Sequence, residues 1–500
     1  MQSIDSWIIC HANFRPQKTA IDFQGNQISY CEFAKLIGQT ANFLSDQSIK
    51  QGDRVAYLGL NRPEMLALLF ACARLGAILV PLNWRLTPKE LSGIIEDCNA
   101  SLLFHDPHYA SPEFTIIAKS AENCRVFSVE SVHQGVEKAD SLNKGSIKDP
   151  LLIVYTSGTT GKPKGAVLTQ EALLYNALNS RHMHAMSGDD LILVALPLFH
   201  VGGLNIQLTP GLYVGATIEL HERFDPAAVL ASLLKPEMKL GVLVPATMEA
   251  VMATDLWDEA DFSHMKALGT GSMIVPTYLI TAFEAKNCSV IQVYGSTETC
   301  PIAAYQAIGE GKTHPTSTGK PALHNKIRLS DDKGQIIEAA DVLGEIEVFG
   351  PSILSHYWNN KDETAKSIVD GWFKTGDLGC WDEDGYLYFK DRKKNLIISG
   401  GENISPAEIE NVIALSDKVK ETVVVGMPDE KWGEVPVAVV VLHEGRQTEE
   451  QEIEALFQVN LARFKHPKKI VHAEQLPRNA MGKVQPHIVR AQLLGAMNQD

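Results

Sequence analysis

The 500-residue sequence has only eight cysteines, Cys10, Cys31, Cys72, Cys98, Cys124, Cys288, Cys300 and Cys380, and no two form a CxxC pair. A chain of this length builds a core without covalent staples, so the pattern reads as a reduced, cytoplasmic protein. A positive face is lacking as well: the net charge is -15 and the basic residues are scattered. That argues against nucleic acid as a partner. Long uninterrupted apolar runs are missing. The most apolar stretch, 65–82, contains Arg74 and Gly76. It reads as a helix followed by a buried strand, so no integral membrane contact is expected. Residues 1–15 carry Asp5 and show no basic segment before an apolar run, so no signal peptide is expected.

What is present is ordinary globular composition, 45% hydrophobic and 21% charged, on a chain long enough for two or more domains. Short apolar runs at 54–60, 77–82, 151–155, 191–196, 240–244 and 289–294 alternate with helical patterns, two of which start near Pro63 and Pro88. Apolar strands interleaved with helices predict parallel sheets covered on both faces, with ligands beyond the carboxyl ends of the strands. Residues 325–350 change to an antiparallel β pattern with a turn at 332–334. After the charged stretch 390–395 the pattern becomes a compact mixed α/β unit. It has a helix from Pro406, strands at 421–426 and 435–442 and a helix near 448–462. The expected fold class is α/β: a large N-terminal domain of stacked, mostly parallel sheets with a small β unit, residues 1–390, and a small C-terminal α/β domain, residues 391–500.

The strongest chemical signal is YTSGTTGKPKG at 155–165. Its glycines, Gly158 and Gly161 among them, let backbone approach a ligand closely. The hydroxyls of Thr156, Ser157, Thr159 and Thr160 and the cations Lys162 and Lys164 offer donors and positive charge. A polyphosphate needs that set. The Walker pattern is absent, because Pro163 follows Lys162. By composition alone a flexible linker fits the same residues.

Further segments recur in a fixed order: YGSTET at 294–299, TGD at 375–377, Asp391-Arg392, SGGEN at 399–403 and PRNAMGK at 477–483. With the loop at 155–165 they make the chain similar to the acyl-adenylate-forming superfamily, which includes acyl-CoA synthetases, peptide-synthetase adenylation domains and firefly luciferase. The likeness covers nearly the whole chain. It implies an acid:CoA ligase that uses ATP and Mg²⁺, forms an acyl-adenylate with release of pyrophosphate, and passes the acyl group to CoA. A carrier protein as acceptor, or a non-catalytic nucleotide-binding relative, are the competing implications. The partners implied are a small carboxylic acid, ATP and CoA; a homodimer is one open assembly.

The resemblance also implies roles. Thr156 to Lys162, Lys164, Gly271, Tyr294 and Gly295 would meet ATP or AMP, with Asp377 and Arg392 at the ribose. Glu298 would hold the metal, Thr297 would donate to the α-phosphate, and Lys483 would offset charge at the reacting centre. Those roles agree with residue chemistry: attack of a carboxylate on phosphorus spreads charge over oxygens that cations and hydroxyls must neutralise. Ser399, Gly400, Gly401 and Glu402 would face CoA after the C-terminal domain turns about a hinge at Asp391. Asn395 stands where the family often has an acid.

PLFHVGG at 197–203 and GTGSM at 269–273 match the family's acyl-pocket segments. His200, Gly202, Gly203, Gly269, Val293 and Cys300 are therefore expected around the acid. The glycines leave room, and no buried Arg or Lys suggests a second carboxylate. An apolar acid, fatty or aromatic, is the expectation.

Overall fold

The computed structural model describes residues 3–109, 124–136, 144–156, 163–399, 402–429, 431–446, 450–478 and 483–497. The chain divides into two compact units. One comprises 1–328, 347–374 and 382–388; the other comprises 329–346, 375–381 and 389–500.

The first unit is built on two sheets. Six strands of the nine-stranded sheet, Val290–Tyr294, Ala267–Gly271, Met238–Val242, Leu191–Val194, Thr217–Leu220 and Thr19–Phe23, lie parallel in that order. Antiparallel strands close both edges. The seven-stranded sheet has a parallel centre, Pro150–Thr156, Ile78–Leu82, Arg54–Leu58, Leu102–His105 and Arg125–Ser128. Its other edge is antiparallel: Lys164–Thr169 pairs with Pro150–Thr156, and His356–Tyr357 adds to Lys164–Thr169.

Helix Pro63–Leu75 shows why one apolar cluster can take in residues of both sheets. Pro63 fills a first-turn position that needs no N–H, and Gly76 ends the helix at φ 71°. Leu66 to Ala73 are fully buried all round the helix, as expected for a core helix. The cluster contains these residues with Val55, Leu79 and Leu152 of one sheet and Ile192, Ile218 and Ile291 of the other. The apolar stretch at 65–82 is thus a core helix and strand.

One strand was not anticipated: Lys164–Thr169 pairs antiparallel with Pro150–Thr156 as the second arm of a hairpin. Thr169 still caps the following helix, its hydroxyl accepting from the Ala172 N–H. The strand was hidden because its residues Gly165 to Leu168 are all buried and so lack the two-residue alternation of a half-exposed strand.

Lys326–Ser330 and Ile336–Ile337 form the anticipated hairpin. Asp331 Oδ1 accepts from the N–H groups of Lys333 and Gln335, and Gly334 takes φ 79°. The long antiparallel pair Val419–Asp429 and Gly433–Leu442 anchors the C-terminal sheet. Its side chains alternate between two cores. Val424, Ala438 and Val440 pack with Ile409, Ile453 and Phe457. Val423, Val425, Val437 and Val439 pack with Leu476 and Val489.

Candidate active site

Strand Val290–Tyr294 delivers the nucleotide motif at its carboxyl end. Tyr294 is buried. The chain then turns so tightly that a Cβ on Gly295 would lie 1.6 Å from the Pro301 carbonyl oxygen; only glycine fits. The turn is secured by the Ser296 N–H donating to Thr299 Oγ1 at 2.9 Å. It presents buried Thr297 and half-buried Glu298 on one short 3-10 turn. On the neighbouring strand, a Cβ on Gly271 would lie 2.4 Å from the Val293 carbonyl oxygen.

A residue outside every motif joins two of these segments. Strand His356–Tyr357 pairs with the far arm of the phosphate-loop hairpin, setting Tyr357 opposite Ala166. The Tyr357 hydroxyl donates to Glu298 Oε1 at 2.9 Å. Burial, reinforced by the Glu298 charge, pushes the phenol well above its ordinary range, so it remains a donor. Lys164 Nζ lies 5.8 Å from the Tyr357 ring centre and 2.5 Å from Glu363 Oε1. Glu298 and Lys164, far apart in sequence, thus meet around Tyr357. A single oriented carboxylate fits Mg²⁺, which takes one or two carboxylates and fills its shell with phosphate oxygens and water. Thr156 ends the near arm of the hairpin. Ser157, Gly158, Thr159, Thr160, Gly161 and Lys162 lie outside the described residues.

The residues expected around the acid also cluster. Gly202 and Gly203 line a cavity of about 10 Å³ with Leu193, Leu196, Gln207 and Val242. A Cβ on Gly203 would stand 2.3 Å from the Pro197 carbonyl oxygen, whereas one on Gly202 would meet nothing within 4 Å. A Cβ on Gly269 would meet a Val242 methyl at 3.3 Å and His184 Nε2 at 3.5 Å. His200 stacks obliquely against Phe199, and burial together with the Arg85 charge pushes its pKa down to about 4, so it is neutral. Val293 is buried on the strand leading into the motif. Cys300 is fully buried, its sulfur 3.6 Å from Asn205 Nδ2.

The remaining expected residues belong to the second unit. Arg392 Nε lies 3.1 Å from Asp377 Oδ1, so the two expected ribose partners form an ion pair. Asp391 is buried and holds four hydrogen bonds: Oδ1 accepts from the Arg392 N–H and Asn395 Nδ2, Oδ2 from Ser405 Oγ and the Ala407 N–H. Its carboxylate therefore caps helix Pro406–Ile413, where negative charge is favoured. Ser399 and Glu402 face one another as an antiparallel pair; Gly400 and Gly401 between them lie outside the described residues. Lys483 is exposed, on a segment bracketed by a bridge between Arg478 and Val484.

Residues 10–358 match the family described as AMP-binding enzyme, and residues 408–483 match the AMP-binding enzyme C-terminal domain. The chain belongs to the AMP-binding enzyme family. This AMP-binding enzyme is 44% identical over 499 residues to an indoleacetate–CoA ligase of Aromatoleum aromaticum, covering 97% of each chain. It is 34% identical over 476 residues to a long-chain-fatty-acid–CoA ligase of Mycobacterium tuberculosis, covering 93% of each. Its structure resembles that of the o-succinylbenzoate CoA synthetase of Bacillus subtilis in complex with an acyl-adenylate intermediate. The TM-score is 0.88 at 31% identity, over 99% of this chain and 98% of that one. The same synthetase has been solved with ATP and magnesium ion. The enzyme is an AMP-forming acid–thiol ligase that uses ATP, Mg²⁺ and CoA.

Sequence reasoning missed Tyr357, Glu363, Gln207 and His184. Tyr357 and Glu363 sit in no recurring segment, and pairing of strands distant in sequence brings them to the site. Gln207 carried one signal: it lies only four positions beyond Gly203, within a π-helical turn, Leu204–Leu208, a distortion frequent at functional sites.

Proposed function

We propose that this enzyme joins an aromatic carboxylic acid to CoA. In our reading residues 391–500 turn about a hinge at Asp391 between the two half-reactions. The meeting of Glu298, Tyr357 and Lys164 at the end of strand Val290–Tyr294 carries the assignment of the nucleotide site. In the first half-reaction a carboxylate oxygen bonds to the α-phosphorus as the bond to pyrophosphate breaks. Lys164 and Lys483 offset the oxygen charge and Thr297 donates to the α-phosphate. Glu298 would hold Mg²⁺, which when bound would supply further neutralisation of the phosphates. Asp377 and Arg392 address the ribose.

In the second half-reaction the CoA sulfur bonds to the acyl carbon, AMP leaves, and the thiol proton passes to solvent. Ser399, Gly400, Gly401 and Glu402 line the thiol's approach. The hydrogen bonds that Asp391 accepts from Ser405 Oγ and the Ala407 N–H tie the proposed hinge residue to helix Pro406–Ile413. His200, Gly202, Gly203, Gly269, Val293 and Cys300 surround the acid. An aromatic acid is favoured over a fatty one by the higher identity to the indoleacetate ligase than to the fatty-acid ligase. The compartment we propose is the cytoplasm, where the eight free thiols would remain reduced.

The test is a panel of arylacetic, arylacrylic, benzoic and fatty acids with ATP, Mg²⁺ and CoA, measuring AMP and acyl-CoA together. Stoichiometric AMP and aryl-CoA are expected. Transfer only to a carrier protein, or turnover of fatty acids alone, would overturn the reading.

A further inference from the structure

Two buried hydrogen-bond acceptors stand unused where the acid is proposed to bind. Gln207 is 2% exposed, and its amide nitrogen, Nε2, donates to the Gly241 carbonyl oxygen at 3.2 Å. That bond fixes which way the amide points, since the flipped amide would set two carbonyl oxygens against one another. Oε1 is left, and among the described residues it has no hydrogen-bond partner. Gln207 lines the small cavity with Gly202, Gly203 and Val242.

His184 is the second. It is fully buried, and burial pushes its pKa down to about 4, so the ring is neutral. Its tautomer follows from the bonds around it. Ser180 Oγ gives its only proton to the Ile206 carbonyl oxygen at 2.5 Å, so it has none to offer the ring. His184 Nδ1, 2.9 Å from the Ser180 carbonyl oxygen and 3.1 Å from Ser180 Oγ, must therefore carry the hydrogen. Nε2 is then a bare acceptor, and it too has no hydrogen-bond partner among the described residues.

One point on strand Ala267–Gly271 lies close both to His184 and to the carbonyl that anchors Gln207. The position a Gly269 Cβ would take lies 3.5 Å from His184 Nε2, 3.3 Å from a Val242 methyl and 3.7 Å from the Gly241 oxygen that anchors Gln207. A buried acceptor without a donor costs free energy comparable to a lost hydrogen bond. The cost is recovered when a ligand brings the donor. The cavity, about 10 Å³, has about the room of one water-sized polar group.

Resting on the ligase reading of this pocket, we infer that Gln207 Oε1 and His184 Nε2 select an aromatic acid bearing an N–H or O–H donor at its far end. An indole N–H or a phenol hydroxyl has that chemistry. Such a site rejects an otherwise equal molecule without the donor, because the acceptors then remain unpaired in an apolar surrounding.

The test compares indole-3-acetate with benzothiophene-3-acetate, in which sulfur replaces N–H at nearly constant shape. Octanoate completes the set. The wild-type enzyme should favour the indole acid by at least about tenfold in kcat/KM. Gln207→Met keeps the length of the side chain and removes both the acceptor and the Nε2 bond to Gly241. It should bring the ratio close to one by raising KM for the indole acid alone, and turnover of the sulfur acid by the same preparation reports that the variant is folded. If Gln207→Met turns over neither acid, the wild-type ratio decides alone. Equal wild-type turnover of the two acids, or a ratio unchanged in Gln207→Met, would overturn the inference; both would leave the ligase reading intact. Turnover of octanoate only would also overturn it, whereas failure with every acid tried would remove the ligase reading as well.

Discussion

The Tyr357 hydroxyl donates to Glu298 Oε1 at 2.9 Å across 59 positions of sequence. The bond fixes the orientation of the proposed metal-holding carboxylate, and Tyr357 itself is seated by pairing with Ala166 in the phosphate-loop hairpin. Tyr357→Phe removes one hydrogen bond to a charged acceptor and little volume. We expect a loss of about 1 kcal/mol in binding MgATP, roughly fivefold in its KM. Titrating Mg²⁺ at fixed ATP checks this: an unchanged Mg²⁺ dependence would separate Tyr357 from the metal.

Lys483→Ala should lower acid-dependent exchange of pyrophosphate into ATP on the order of 10²–10³-fold, the usual scale for deleting one charge-stabilising group. CoA-dependent breakdown of a separately prepared acyl-adenylate should change far less, because that step does not involve the triphosphate. Equal losses in both half-reactions would show that Lys483 is not specific to the first.

Two glycines of the site should respond in opposite ways. Gly295→Ala forces a carbon to within 1.6 Å of the Pro301 oxygen and should destabilise the enzyme by about 1–3 kcal/mol. Gly202→Ala meets nothing within 4 Å. It should leave the urea midpoint unchanged while raising KM for the acid. A Gly202→Ala variant that unfolds early, with normal acid binding, would contradict this division.

Glu410 predicts the pH response of the second unit. Burial, with the Asp391 charge, pushes its carboxyl up to about 7, against the hydrogen bond it accepts from the Val424 N–H. The folded chain therefore keeps a proton that the unfolded chain releases near 4.5. This contribution to stability is complete below pH 4.5 and is lost as pH rises through about 7. Glu410→Gln should remove a loss on the order of 1 kcal/mol between pH 6 and pH 8. Thermal unfolding at the two pH values checks it: parallel shifts in wild type and variant would assign the pH dependence to other groups.

Much of this protein was readable from contiguous residues. The buried helix and strand at 65–82, the proline-started helices and the turn at Asp332–Gly334 all follow from local steric and hydrogen-bonding rules. The ordered motifs likewise carried the family and its reaction, because their chemistry is written in neighbouring side chains. The strand Lys164–Thr169 was less legible, since burial on both faces erases the alternation that marks a strand.

The sequence by itself determined which chemical groups the enzyme owns, how its individual helices and turns begin and end, and the reaction those groups serve. Tertiary structure alone decided that Tyr357 orients Glu298, that Asp391 caps the helix at Pro406, and that among the described residues Gln207 Oε1 and His184 Nε2 are buried acceptors with no hydrogen-bond partner. The physical reason is range. Local preferences act over a few residues, whereas these contacts depend on which strands become neighbours and on which polar atoms the packed core leaves without a partner.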